Sequence, residues 1–269
     1  MIIEVDRKKG PEFQILDKID FLPISRFVLP NGVDVSLLEA GSQDVTKIDW
    51  LFPAGAVQAG KPLLASTVGN LMLEGTDSRT SAEISDIIDF YGAHLNVQTY
   101  HHNSVITLIC LTKELPQLLP VVEDIVRNAV FDAKEYYIYL NKRRQEYLLE
   151  SEKVRTIAAR KFGQVVFGEA HPYGRQLELS QFDTLTREET IAFYKNAYTP
   201  LACRIVVAGQ PGSDIKDLLT RHFGDVSWRE GMVNLNGVSE LMPSPDKFHL
   251  VEKDGALQSA IRLGRPLFN

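Results

Sequence analysis

Apolar and polar positions follow two different periods along this chain, and the places where one gives way to the other outline its elements. From Arg26 to Ala40 (RFVLPNGVDVSLLEA) two alternating runs flank Asn31-Gly32. That pattern predicts a β-hairpin, with a positive φ accessible at both central positions. TKIDWLFPAG, from Thr46, predicts a third strand stopped at Pro53–Gly55. The period then lengthens. In LLASTVGNLMLEGT, Leu63, Leu64, Val68, Leu71 and Met72 form one stripe at helical spacing, which predicts a buried helix closing in a Gly75-Thr76 turn.

Further along, Thr80-Ser81-Ala82-Glu83 has the form of a helix start, with Ile84, Ile87, Ile88 and Tyr91 on one face and Gly92 as the stop. HLNVQTYHHN and SVITLICLT predict a strand pair, the first alternating and the second continuously apolar. A helix from Pro116 carries Leu119, Val122, Ile125 and Val126 on one side. A single long helix is expected from Asp132 to about Phe167, with Lys142-Arg143-Arg144 and Glu150-Ser151-Glu152-Lys153 on solvated faces and HPYGR (171–175) as its break. Helical pieces at Ser180–Phe182 and Arg187–Tyr198 follow, then the strand CRIVVAG and the helix GSDIKDLLTRHF. Beyond Gly231 the composition turns loop-like, and KFHLVEK and LQSAIRLG predict two final strands.

The expected organisation is an N-terminal arm (1–25), a main domain (26–230), a linker (231–245) and the start of a truncated second domain (246–269). Hairpin-like neighbours outnumber strand–helix–strand crossovers. The fold class is therefore α+β, a mainly antiparallel sheet with helices on one face.

Composition narrows the function classes. The 269 residues carry a net charge of -6 without a long Lys/Arg block, so no nucleic-acid partner is expected. The N-terminus lacks the apolar core of a secretory signal and no stretch reaches membrane-spanning length. The expectation is a soluble chain with no membrane partner, cytoplasmic as written, or periplasmic were a leader removed from it. Cys110 and Cys203 sit in apolar runs and are expected to be buried free thiols.

A few clusters carry residue types that could do chemistry. His101-His102 is the chain's His pair and His94 lies just upstream. Neighbours on a strand point to opposite faces, which argues against a shared metal. His171 is ascribed to its turn. There is no Gly-x-Ser-x-Gly elbow, and GQPGSD (209–214) lacks the lysine and full glycine pattern of a phosphate loop, so it is taken as a strand-to-helix turn.

The ordered set of a Leu-Pro-Asn-Gly hairpin, a helix closing in Gly75-Thr76, Tyr91-Gly92-Ala93, a strand with Asn96 and Thr99, the long helix, His171-Pro172-Tyr173-Gly174-Arg175 and Asn196-Ala197-Tyr198-Thr199-Pro200 resembles the insulinase-like zinc peptidases, which include the mitochondrial processing peptidases and pitrilysin-type proteins. The resemblance implies a metallohydrolase fold duplicated within a protomer, two halves enclosing a chamber. In active relatives a His-x-x-Glu-His segment before Gly-Thr supplies two zinc ligands and a general base. Here those positions fall on Ser66, Gly69 and Asn70, so no catalytic set and no zinc cofactor are expected. Glu146 falls at the spacing of the distal metal ligand, with Glu150 one turn on, and the default for either is a solvated carboxylate. The resemblance also makes Leu95, Asn96, Val97, Gln98 and Thr99 the edge strand along which an extended peptide adds. The implied role is a catalytically silent subunit serving an active insulinase-like partner, or a homodimer. The alternatives are a metal-dependent endopeptidase with a deviant site and a stand-alone peptide-binding or assembly protein.

Overall fold

The computed structural model describes residue 10 and residues 20–228 and 240–267. Most of the arm and of the linker therefore lie outside the described residues. In chain order the elements are β1 (Ser25–Val28), β2 (Asp34–Glu39), β3 (Val45–Phe52), α1 (Ala56–Ala59), α2 (Leu64–Leu71), α3 (Ser81–Phe90), β4 (His94–Thr99), β5 (Ser104–Leu111), α4 (Leu115–Asn128), α5 (Ala133–Ser151), α6 (Val154–Phe167), α7 (Gln181–Thr184), α8 (Arg187–Ala197), β6 (Arg204–Gly209) and α9 (Ile215–Phe223).

The six strands form one sheet in the order β1-β2-β6-β3-β5-β4. Every pairing is antiparallel except β2–β6, which is parallel. The alternation of β3 explains the layering. Ile48, Trp50 and Phe52 are fully buried on one face, while Lys47, Asp49 and Leu51 turn the other way. Ile106 and Leu108 of β5 and Ile205 and Val207 of β6 join the buried face, where α2, α4 and α9 close over them through Val68, Leu71, Val122, Ile125 and Leu219. Burying side chains of this size contributes roughly 1.5–3 kcal/mol each, which is why the covered face holds the fold together.

The predicted helix starts are built as capping boxes at Thr80/Glu83 and again at Thr186/Glu189. After α2, Gly75 takes a φ of +144° and Thr76 bridges to Ala129. Thr76, Ser78 and Arg79 converge on Asp124 of α4 at 2.5–2.6 Å, and Asn128 donates to its other oxygen at 2.8 Å. Burial alone would raise the Asp124 pKa, but these hydrogen bonds outweigh it and hold the carboxyl below its usual range.

Three sequence expectations require correction. Gly32 alone takes a positive φ in the first turn, at +90°. Pro30 fixes a negative φ at the second turn position, and the Asn31 amide instead donates to Phe223 O (2.8 Å) and Asp225 O (3.2 Å). The long helix is two helices, α5 and α6. Ser151 Oγ bonds back to Tyr147 O at 2.6 Å and Lys153 is extended, so the ladder breaks there. Finally, KFHLVEK and LQSAIRLG form no strands. Phe248, Leu250, Ile261 and Leu263 are at least 85% exposed. Alternation alone cannot hold a strand without a partner ladder. The chain leading into this segment runs beside α6, with Met242 N bonded to Phe167 O and Ser244 N to Val165 O, and Gly264 lies beside Phe162.

Candidate functional site

Helix α2 crosses the buried face of the edge strand β4, and the three positions of interest lie at that crossing. Ser66 Oγ donates to Leu63 O at 3.0 Å and Asn70 Nδ2 donates to Ser66 O at 2.7 Å, so both side chains bond carbonyls of their own helical turn. Gly69 is buried. A Cβ there would stand 2.5 Å from Thr99 Oγ1 and 3.2 Å from Val97 Cγ1. The position is a close-packing glycine, and the strand occupies the space a longer side chain would need.

Tyr139 connects α5 to this crossing, its hydroxyl donating to Ser66 O at 3.4 Å and its pKa raised by burial. Glu146 points elsewhere. It pairs with Arg143 of its own helix at 3.4 Å, with about half of each side chain in solvent. Glu150 bonds Lys153 and Thr156, and the Lys153 bond holds its pKa down. Among the described residues no group of three or more His, Cys, Asp or Glu side chains is placed to hold a metal ion. Ser66, Gly69 and Asn70 do not fit a zinc ion in donor type or in the room around position 69.

Strand β4 is the last of the sheet and pairs with β5 alone. Leu95, Val97 and Thr99 face the core while Asn96 and Gln98 face away, opposite Thr107 and Val105. Outside the β4–β5 ladder, residues 94–99 make no backbone hydrogen bond among the described residues, so the outer edge is available for pairing. Asn96 Oδ1 is buried and has no hydrogen-bond partner.

The chain turns after Thr99, and this alters the histidine reading. His101 and His102 lie in the turn, not on the strand, so strand parity does not separate them. Both reach Tyr173. The His101 ring is 4.5 Å from the Tyr173 ring, and His102 Nε2 is hydrogen-bonded to the Tyr173 hydroxyl. His171 packs on the same tyrosine and on Phe167, its Nδ1 accepting from Tyr173 N. Burial first, then the neighbouring charges of His102 and His171, lowers the His101 pKa, so its imidazole is neutral at pH 7.

Beside this group is a cleft of about 520 Å³ that sequence reasoning missed. Five arginines line it: Arg143 of α5, Arg155 and Arg160 of α6, Arg175 of the HPYGR turn, and Arg262 of the C-terminal segment. His101, Tyr147 and Tyr173 are also in its lining, and no carboxylate residue is. The arginines are 119 positions apart at the extremes, so no local charge run signals them. Arg143, expected on a solvated face, keeps 38% of its side chain exposed and also lines this cleft.

Two family descriptions match the chain: "Insulinase (Peptidase family M16)" over residues 53–164 and "Peptidase M16 inactive domain" over residues 184–264. The chain belongs to the insulinase-like peptidase family. This insulinase-like chain is 29% identical over 152 residues to the mitochondrial-processing peptidase subunit beta of Neurospora crassa, a match covering 53% of this chain and 30% of that protein. It is 24% identical over 229 residues to the Saccharomyces cerevisiae protein of the same name, covering 80% and 47%. An uncharacterized zinc protease of Rickettsia bellii is 26% identical over 156 residues, covering 56% and 37%. The chain thus spans less than half the length of these relatives. Among solved structures, a peptidase M16 inactive domain from Pseudomonas fluorescens superposes with a TM-score of 0.74 at 18% identity, over 82% of this chain and 54% of that one. A protease from Helicobacter pylori gives 0.69, also at 18% identity, over 83% and 54%. These likenesses establish the fold that the sequence predicted.

Proposed function

We propose that this chain is a catalytically silent, peptide-binding part of an insulinase-like assembly, supplying the open edge of β4 to an extended peptide beside an active partner. The observation that carries the reading is the crossing of α2 and β4. Position 69 is closed by Thr99 and Val97, and Ser66 and Asn70 are engaged with their own helix. No general base fits there, and two zinc ligands are replaced by side chains of the wrong donor type. Strand addition has no such requirement. It uses the main-chain N–H and C=O groups that β4 leaves unpaired, and these do not depend on the motif.

Metal analysis of the purified protein, with peptide hydrolysis measured with and without a chelator, tests the silent role. The expected result is no chelator-sensitive turnover by the chain alone. Stoichiometric zinc together with chelator-sensitive turnover would overturn it. Co-purification from the native source tests the partner: a relative that retains His-x-x-Glu-His is expected to accompany it.

A further inference from the structure

We infer that the arginine-lined cleft is a subsite for acidic side chains of a peptide laid along β4. The inference rests on the peptide-binding reading above and adds the substrate class. Its first support is position. His101 lines the cleft and follows the last β4 residue, Thr99, by two positions. A strand added to the edge of β4 therefore runs toward the cleft at one end.

The second support is how the five guanidiniums are engaged. Arg160 lies 4.4 Å above the Tyr147 ring and donates to Ser151 Oγ at 2.8 Å. Arg175 donates to two backbone carbonyls, Gly60 O and Ala170 O. These contacts orient both groups without neutralising either charge. Arg155 and Arg262 make no hydrogen bond or ion pair among the described residues, although Arg155 is near enough to Glu150 to help lower its pKa. Only Arg143 has a carboxylate partner, Glu146, at a long 3.4 Å.

A concave site with one sign of charge concentrates counter-ions from solution, and its setting in a chain of net charge -6 makes the local excess more telling. Guanidinium forks match carboxylates in a planar, two-bond geometry. The charges come from α5, α6, the HPYGR turn and the C-terminal segment, and so surround a space of about 520 Å³. A single inorganic anion would touch few of them. An extended peptide presents alternate side chains about 7 Å apart on one face, so successive carboxylates can meet different arginines.

The test uses the full chain and three labelled ten-residue peptides that differ only at alternate positions, bearing Glu, Gln or Lys, with binding read by fluorescence anisotropy. The Glu peptide is expected to bind about ten-fold or more tighter than the Gln peptide at low salt, with the gap closing as salt rises. Combining Arg155→Glu with Arg262→Glu should abolish that preference, while Arg221→Glu on α9, remote from the cleft, should preserve it. Thermal unfolding of each variant controls for folding. Equal binding of Glu and Gln peptides overturns the acidic subsite and leaves strand addition standing, as does tighter binding of the Lys peptide. Binding by none of the three overturns the peptide reading and this inference together. Saturable binding of inorganic phosphate with no binding of the Glu peptide overturns it in favour of a small-anion site.

Discussion

Two neighbouring regions at the Thr99 end of β4 are built in opposite ways. Where α2 crosses the strand, polar side chains bond their own helix and the glycine is packed to contact. Where the strand ends, five arginines face a cleft without a carboxylate in its lining. The first region spends its polar groups on stability. The second leaves charge unspent, and unspent charge in a concave place is what binding requires. A motif search attends only to the first region, which is the one that has closed.

Substitutions test this contrast. The largest effect is expected from Gly69→Glu, which drives a long side chain into Thr99 and Val97. A loss of about 1–3 kcal/mol in urea unfolding is expected, and adding Ser66→His and Asn70→His should still give no stoichiometric zinc by metal analysis. Full stability with bound zinc would show that the crossing is open after all.

Next is the coupling across the crossing. Gly69→Ala ordinarily stabilises a helix, by about 1 kcal/mol, but here the new methyl meets Thr99 Oγ1 and a net loss is expected. Thr99→Ala removes that atom, so a double-mutant cycle should show the two changes coupled by about 0.5 kcal/mol or more. Simple additivity would mean the contact is relieved some other way.

Smaller still is the stability cost in the arginine-lined cleft. Arg155→Glu should shift the unfolding free energy by no more than about 0.5 kcal/mol, because this exposed side chain makes no hydrogen bond. A larger change would make Arg155 part of the framework and erase the contrast.

The mildest effect concerns pH. The lowered His101 pKa keeps this ring uncharged at neutral pH, and protonation adds a positive charge to a cleft that favours carboxylates. Lowering the pH from 7.5 to 5.5 should therefore tighten the Glu peptide, by less than about ten-fold, while its carboxylates remain ionised. His101→Ala should flatten this response. Weaker binding at the lower pH would contradict the sign.

Much of the fold was legible because its signals are local. The β3 alternation, the stripe of Leu64, Val68 and Leu71, and the Thr80/Glu83 cap each lie within one element, and each formed where the sequence placed it. The failures had other causes, one local and two distant. The long helix is interrupted at Lys153, whose backbone is extended just after Ser151 bonds back to Tyr147 O; Asn31 turns toward carbonyls almost two hundred residues away, and the last two predicted strands have no ladder to join. On its own the sequence determined the family, the α+β class, the core faces and the absence of His-x-x-Glu-His, since period, composition and motif are properties of short windows. Only the packing of the elements shows that Gly69 is closed by Thr99, that His101, His102 and His171 meet on Tyr173, and that arginines from four segments share one cleft, whereas the edge position of β4 was already implied by the family resemblance. Contacts between far residues depend on how elements pack, and no window of sequence contains both partners.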